Sequence, residues 1–264
     1  MKPPRIRYVA LLLLSAATVL LIPLRLPLSG AVVFAAALFA ILRDPEPAAR
    51  RRLGVLAGCV AVLAVAPIHT DTSNLHFVTL GLPFLAVTLG PALVLGRTDP
   101  GVIRYRLWPR KFRWLDVFYV AVSIPLAWLA FEFYFKVASP EVPTHWVLPA
   151  QPDAEANWRL FIGINCVGIW DELFFVNTVF AVLRSLFPYR IANLGQAVVY
   201  TSVLTRMAFT GIGPFLIFPF ALTQGAMFEE SDNLLYVLLV HLIVDFFLVA
   251  GIFHHYYGTH VLPF

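Results

Sequence analysis

Two acids stand side by side in GIWDELFFVNTVF, residues 168–180. An imidazole and a third acid stand four apart in LLYVLLVHLIVDFFLVAG, residues 234–251. Residues four apart share one face of a helix, so His241 and Asp245 can be presented together to a common partner. Neighbouring helical residues point about 100° apart, so Asp171 and Glu172 are expected to do different jobs. Two carboxyls in a low-dielectric setting do not ionise together easily. A pair of that kind can supply a general base for water, with the imidazole assisting proton transfer. Asp, Glu and His are also acceptable ligands of a divalent metal, although no HExxH pairing is present, and no cofactor is expected. The remaining polar groups inside apolar runs are Glu132 and Arg206, with Asn165, Asn177, Gln196 and Gln224 as neutral companions.

These groups sit in a chain that is 60% hydrophobic and only 13% charged, with a mean hydropathy of +0.81, outside the range of a soluble domain. The composition implies an all-α, polytopic transmembrane bundle. Apolar runs at 8–24, 28–42, 53–67, 76–96, 114–135, 158–183, 191–210, 214–228 and 234–254 suggest eight or nine spans, the second, third and eighth being short. The formal charge of +4 resides in short basic segments between spans, which argues against nucleic acid as a partner. By the positive-inside rule, the N-terminus, RDPEPAARRR at 43–52 and RTDPGVIRYRLWPRKFR at 97–113 belong in the cytoplasm. HTDTSN at 69–74 is poor in Lys and Arg and should face outward, as should the Pro-rich loop 136–157. Simple loops and a bias to Arg over Lys suit a prokaryotic cytoplasmic membrane. The apolar N-terminus reads as a retained first helix, and the two cysteines, Cys59 and Cys166, read as packing residues.

Almost every intramembrane ionisable group lies beyond residue 114, which divides the chain into N-terminal helices at 1–113 and a C-terminal domain at 114–264. At 1.5 Å per residue, Glu172 and Asp245 each lie roughly 16 Å from the cytoplasmic ends of their spans, with His241 one turn nearer the cytoplasm. Arg206 lies roughly 22 Å in, a turn nearer the outer face. Charges are costly at that depth and usually face a bundle interior, so the groups are expected to meet in one polar cavity.

An acid pair on one helix, a further helix about 35 residues on, and a final helix with HxxxD together resemble the CAAX protease and bacteriocin-processing (CPBP/Abi) family of intramembrane proteases. Its motifs are EExxxR, FxxxH and HxxxN or HxxxD, and the resemblance covers roughly residues 158–254. It implies catalytic roles for Asp171, Glu172, His241 and Asp245, a lipid-embedded site and a membrane-associated peptide or protein as substrate. In such enzymes the acid and the second-motif histidine activate water, and the final pair stabilises the oxyanion. Here Val176 stands where the arginine of the first motif would fall. The second motif would fall near Leu204 and Ala208, and an Asp replaces the Asn of the third. Arg206 is expected to stand in for the lost arginine, with Asn177 as a further auxiliary polar group.

Alternatives from the same residues are a catalytically idle member that binds a membrane partner, as an immunity protein would, and a small proton- or ion-coupled transporter. FTGIGPFLIFPF at 209–220 reads as a short turn between spans. Glu229, Glu230 and Asp232 read as the N-terminal cap of the last helix, and Glu132 as reaching the headgroup region. His254, His255 and His260 read as part of an interfacial aromatic and His belt.

Overall fold

The computed structural model describes residues 3–109, 112–138, 147–148 and 153–258, which leaves His260 and most of the loop at 139–152 outside the described residues. The described residues form nine continuous helices and no strand. These are α1 (Arg5–Leu21), α2 (Pro27–Leu42), α3 (Pro47–Val65), α4 (Asn74–Thr98), α5 (Trp114–Ala138), α6 (Ala154–Arg184), α7 (Tyr189–Met207), α8 (Gly213–Ser231) and α9 (Leu235–Tyr257). The all-helical expectation holds, and each helix falls on one of the nine apolar runs. Four of them, α4, α5, α6 and α9, are long and apolar enough to cross a membrane, and α2 is a shorter apolar helix. The remaining helices fall short for visible reasons: α3 opens on Pro47 and Arg50–Arg52, and α7 carries Arg190, Asn193, Gln196 and Arg206.

Helix starts follow local chemistry. Pro27 and Pro47 occupy first-turn positions where no N–H is needed. Ser73 accepts a hydrogen bond from His76 N at 3.2 Å, and Asp153 accepts one from Ala156 N at 2.8 Å, capping α4 and α6. Pro91, inside α4, removes a backbone donor and frees the Val87 carbonyl, to which the buried Cys59 thiol donates at 3.8 Å. The α7–α8 connection is a short turn with Gly211 at φ +62°, as expected.

The acids before α9 do not cap it. The start of α9 is held by loop carbonyls and a side-chain amide instead: Leu234 N donates to Arg106 O at 2.8 Å, Leu235 N to Leu107 O at 3.1 Å and Tyr236 N to Asn233 Oδ1 at 3.4 Å. Asp232, at φ +50°, ends α8 and pairs with Arg106, while Glu230 pairs with Arg113 and Glu229 with Arg184. Arg106 and Arg113 of the basic loop, with Arg184 at the end of α6, take these carboxylates away from the helix terminus.

The same end of the bundle carries further clamps. Arg7 of α1 donates to Asp44 and Glu46, and Arg51 and Arg52 of α3 donate to Asp99 at the end of α4. The Arg51 guanidinium, helped by Arg52 and Thr98, holds the Asp99 carboxyl down at about 2. All the strongly basic segments therefore gather at one end. The opposite end carries the α3–α4 loop and the start of α6, joined by Arg159 donating to Asn74 at 3.0 Å.

Candidate active site

α6 brings the acid pair to the centre of the bundle, and it does so through an irregularity. Residues Glu172–Phe180 form a nine-residue π-helical segment inside the otherwise α-helical rod, with Thr178 Oγ1 donating to Leu173 O, five residues back, at 2.9 Å. A π-segment is poor backbone geometry and recurs mostly at functional sites. Here it begins at Glu172 itself, and almost all of it is buried.

α9 approaches α6 closely at Gly168, where a Cβ would fall on the Asp245 carboxylate and crowd the His241 ring. Small residues at helix contacts permit this proximity in membrane bundles. The approach sets His241 Nδ1 2.6 Å from Glu172 Oε1. The same oxygen accepts from Gln224 Nε2 of α8 at 2.9 Å and from the Tyr200 hydroxyl of α7 at 3.3 Å. Tyr200 Oη also lies 3.0 Å from His241 Nδ1, and Gln224 Nε2 donates in addition to Val237 O at 3.0 Å. Four helices thus converge on one carboxylate oxygen. With Glu172 as acceptor, Nδ1 carries the proton and Nε2 of a neutral ring points away with its lone pair. That nitrogen faces Asp171 Oδ2 and Asp245 Oδ1, each at 3.6 Å.

The four residues expected to act together do meet. Asp171, Glu172, His241 and Asp245 are all buried, and three of their carboxylate oxygens, one on each acid, have no hydrogen-bond partner. Asp171, His241 and Asp245 line a cavity of about 890 Å³ whose walls are largely apolar, whereas Glu172 lies behind them. The auxiliary groups are placed differently. Arg206 is half-buried in the last turn of α7, and among the described residues no hydrogen bond or ion pair joins it to the cluster. Asn177 is fully buried in the π-segment with neither amide atom hydrogen-bonded.

The group on α7 that reaches the acid is Tyr200, not a residue at the Leu204 or Ala208 register. A lone Tyr in an apolar run ordinarily reads as core, which is why sequence patterning passes over it; its hydroxyl needs a partner once buried. Gln224 was visible as an intramembrane amide. Cys166 departs from its expected packing role: it is exposed and lines the cavity.

Residues 153–247 match the family model of the type II CAAX prenyl endopeptidase Rce1-like proteins. This stretch is an Rce1-like domain. It covers α6, α7, α8 and the first thirteen residues of α9, and therefore contains every residue of the cluster. No curated protein and no solved structure was found to match the chain.

A second set of potential ligands lies beyond the Rce1-like domain, near the far end of α9. Donor atoms of Glu132, His254 and His255 fall within 4.8 Å of one another and could hold a divalent ion. Lys136 already pairs with Glu132 at 3.0 Å, and His255 stacks on Phe135 with ring centroids 5.0 Å apart.

Proposed function

We propose that the chain is an intramembrane endopeptidase that hydrolyses a membrane-associated peptide, with His241 as the proton-transfer group. The observation that carries this reading is the 2.6 Å contact of Glu172 with His241 Nδ1, which turns Nε2 toward Asp171 and Asp245 at the floor of an apolar cavity. A buried carboxylate on one ring nitrogen fixes the tautomer and stabilises the imidazolium that forms on proton uptake, as in acyl-transfer triads. Glu172 is then a positioning residue.

Water held among Nε2, Asp171 and Asp245 loses a proton to Nε2 as its oxygen bonds the scissile carbonyl carbon. The carbonyl π electrons move to oxygen. An ionised Asp245 would repel that oxyanion, so Asp245 acts in its protonated form, donating to it. Collapse of the tetrahedral intermediate breaks the C–N bond, and the proton on Nε2 passes to the departing amine. Each proton taken from water is returned, and the reading uses no metal.

The family's name points to prenylated peptides, so a prenyl-anchored peptide is the first substrate to assay. The chain resides in a prokaryotic cytoplasmic membrane with its N-terminus inside. A conducting path for protons or ions is less well supported, because the π-segment and Tyr200 close the cavity below the cluster. The test is cleavage of a lipid-anchored model peptide by purified protein and by His241→Gln. Equal cleavage by both overturns the proposal.

A further inference from the structure

Glu132, His254 and His255 lie outside the Rce1-like domain and take no part in the hydrolysis, on two helices that both border the cavity. On α5, Glu132, Phe135 and Lys136 are spaced three and four apart and so share one face. On α9, His254 and His255 fill consecutive positions of the last turn. The two helices come close at Gly251, where a Cβ would run into the Phe135 ring. The same ring stacks on His255, one turn further along α9, with centroids 5.0 Å apart and an interplanar angle of 18°. That stack sets the plane of the His255 ring, with Nε2 3.8 Å from Glu132 Oε1. The His254 ring stands across it at 81°, with centroids 4.7 Å apart.

These separations suit a shared ion better than a hydrogen bond. At 3.8 Å the approach of His255 to Glu132 is too long for one, and His255 Nε2 is buried with no hydrogen-bond partner. A tetrahedral zinc ion, with bonds of about 2.0–2.2 Å, holds its ligand atoms roughly 3.4 Å apart. One donor atom from each of Glu132, His254 and His255 already lies within 4.8 Å of the other two, so small side-chain rotations bring all three onto such an ion. Two imidazoles and a carboxylate match zinc and its first-row neighbours, whereas calcium and magnesium favour oxygen ligands alone. Lys136 engages the other carboxylate oxygen: its Nζ lies 3.0 Å from Glu132 Oε2, and its side chain is 69% exposed. An ion pair so exposed is worth little, and the ammonium can swing aside.

We propose that Glu132, His254 and His255 form a binding site for a zinc-class divalent ion that clamps α5 to α9. α5 supplies one wall of the cavity through Ala127, Phe131 and Tyr134, and α9 carries His241 and Asp245 to its floor. The ion sits roughly 14 Å along α9 from Asp245, so it holds the wall to the catalytic helix without touching the cluster. The site stands whether or not the chain hydrolyses peptides.

The test uses the full chain, purified in detergent and stripped with a chelator. Zinc chloride is titrated in by isothermal calorimetry, and the protein is melted with and without zinc. Wild type and His241→Gln should bind a single zinc ion with equal affinity, and saturating zinc should raise both melts by about 3–6 °C. Glu132→Gln, which keeps the side-chain volume, and His255→Ala should bind at least about tenfold more weakly and lose the zinc-induced rise. Lys136→Ala removes the competing ammonium and should bind about threefold more tightly, a gain that a misfolded variant cannot mimic. Absence of zinc binding by wild type overturns the proposal. Binding that is lost in His241→Gln but kept in Glu132→Gln and His255→Ala places the ion in the catalytic cluster and overturns it too, as does a Lys136→Ala variant that binds no more tightly than wild type. None of these readouts depends on cleavage, so a zinc-binding but inactive protein would refute the protease reading alone.

Discussion

Replacing Glu172 by Gln isolates what the buried carboxylate does. The side chain keeps its volume and one carbonyl oxygen for the donors of His241, Gln224 and Tyr200, but it loses the negative charge 2.6 Å from Nδ1. With an effective dielectric constant near 20, a full charge at that separation stabilises an imidazolium by roughly 6 kcal/mol. The amide dipole of Gln retains part of this, leaving a loss of about 3–5 kcal/mol in the transition state, or on the order of 10²–10⁴ in kcat. The ground state suffers less. The new amide nitrogen takes the place of Glu172 Oε2, which already has no partner, at a cost of about 1–3 kcal/mol for an unsatisfied donor. Activity should therefore collapse while the protein still folds. The assay is single-turnover cleavage of a fluorogenic lipid-anchored peptide, beside thermal melts of both proteins in the same detergent. Glu172→Gln with kcat within about threefold of wild type would refute the assignment of Glu172 as the group that fixes the His241 tautomer. Loss of activity with an equally collapsed melt would show a structural clamp instead.

Tyr200→Phe removes a long 3.3 Å hydrogen bond to Glu172 together with the 3.0 Å contact to His241 Nδ1, so kcat should fall about 3- to 10-fold, in line with roughly 1 kcal/mol, with little change in the melt. Gly168→Ala drives a methyl into the Asp245 carboxylate and should cost about 1–3 kcal/mol of stability and most of the activity; a fully active, equally stable variant would deny the close α6–α9 approach. Asp99 is held at about 2 by Arg51 and Arg52, below its unfolded value, so its clamp is fully present above about pH 4 and fades as pH falls toward 2. The stability gap between wild type and Asp99→Asn, measured by thermal melts, should be constant from pH 7 to pH 5 and shrink below pH 4.

How much of this was legible depends on the physics behind each feature. Length and apolar content set the nine helices, since nothing but a helix satisfies a long apolar stretch of backbone in lipid. The cluster was legible because charges are rare at that depth and because depth can be counted along a helix, which brought Glu172, His241 and Asp245 to one layer. The division of labour within the acid pair was not. A spacing of about 100° says that Asp171 and Glu172 diverge, but only the packing of α7 and α8 decides that Glu172 turns inward to Tyr200 and Gln224 while Asp171 turns to the cavity. The π-segment leaves no mark on composition, because ELFFVNTVF reads as an ordinary, mostly apolar helical run. Arg206 illustrates the limit of depth counting. Its height along α7 was compatible with the cluster, but its azimuth was not fixed by any periodic pattern, and it stands apart from the acids.

The departures from the family motifs form one connected change. Val176 removes a fixed positive charge beside the acids, and Asp245 replaces an amide that could donate to an oxyanion. Taken separately, each loss looks disabling. Together they leave three buried carboxyls facing a single imidazole, an arrangement that cannot hold three negative charges in low dielectric without a large desolvation cost. Protons are the remaining way to balance it, and the pair that flanks Nε2 at 3.6 Å is where a proton would rest. A proton on Asp245 restores the missing donor, and the same proton replaces the missing cation. His241 and the Asp171/Asp245 pair are then jointly necessary, so Asp245→Asn should retain more activity than Asp245→Ala. An amide can still donate to the oxyanion, whereas a methyl cannot. Equal inactivation by the two substitutions, measured on the same lipid-anchored peptide, would break the link between the lost arginine and the substituted asparagine.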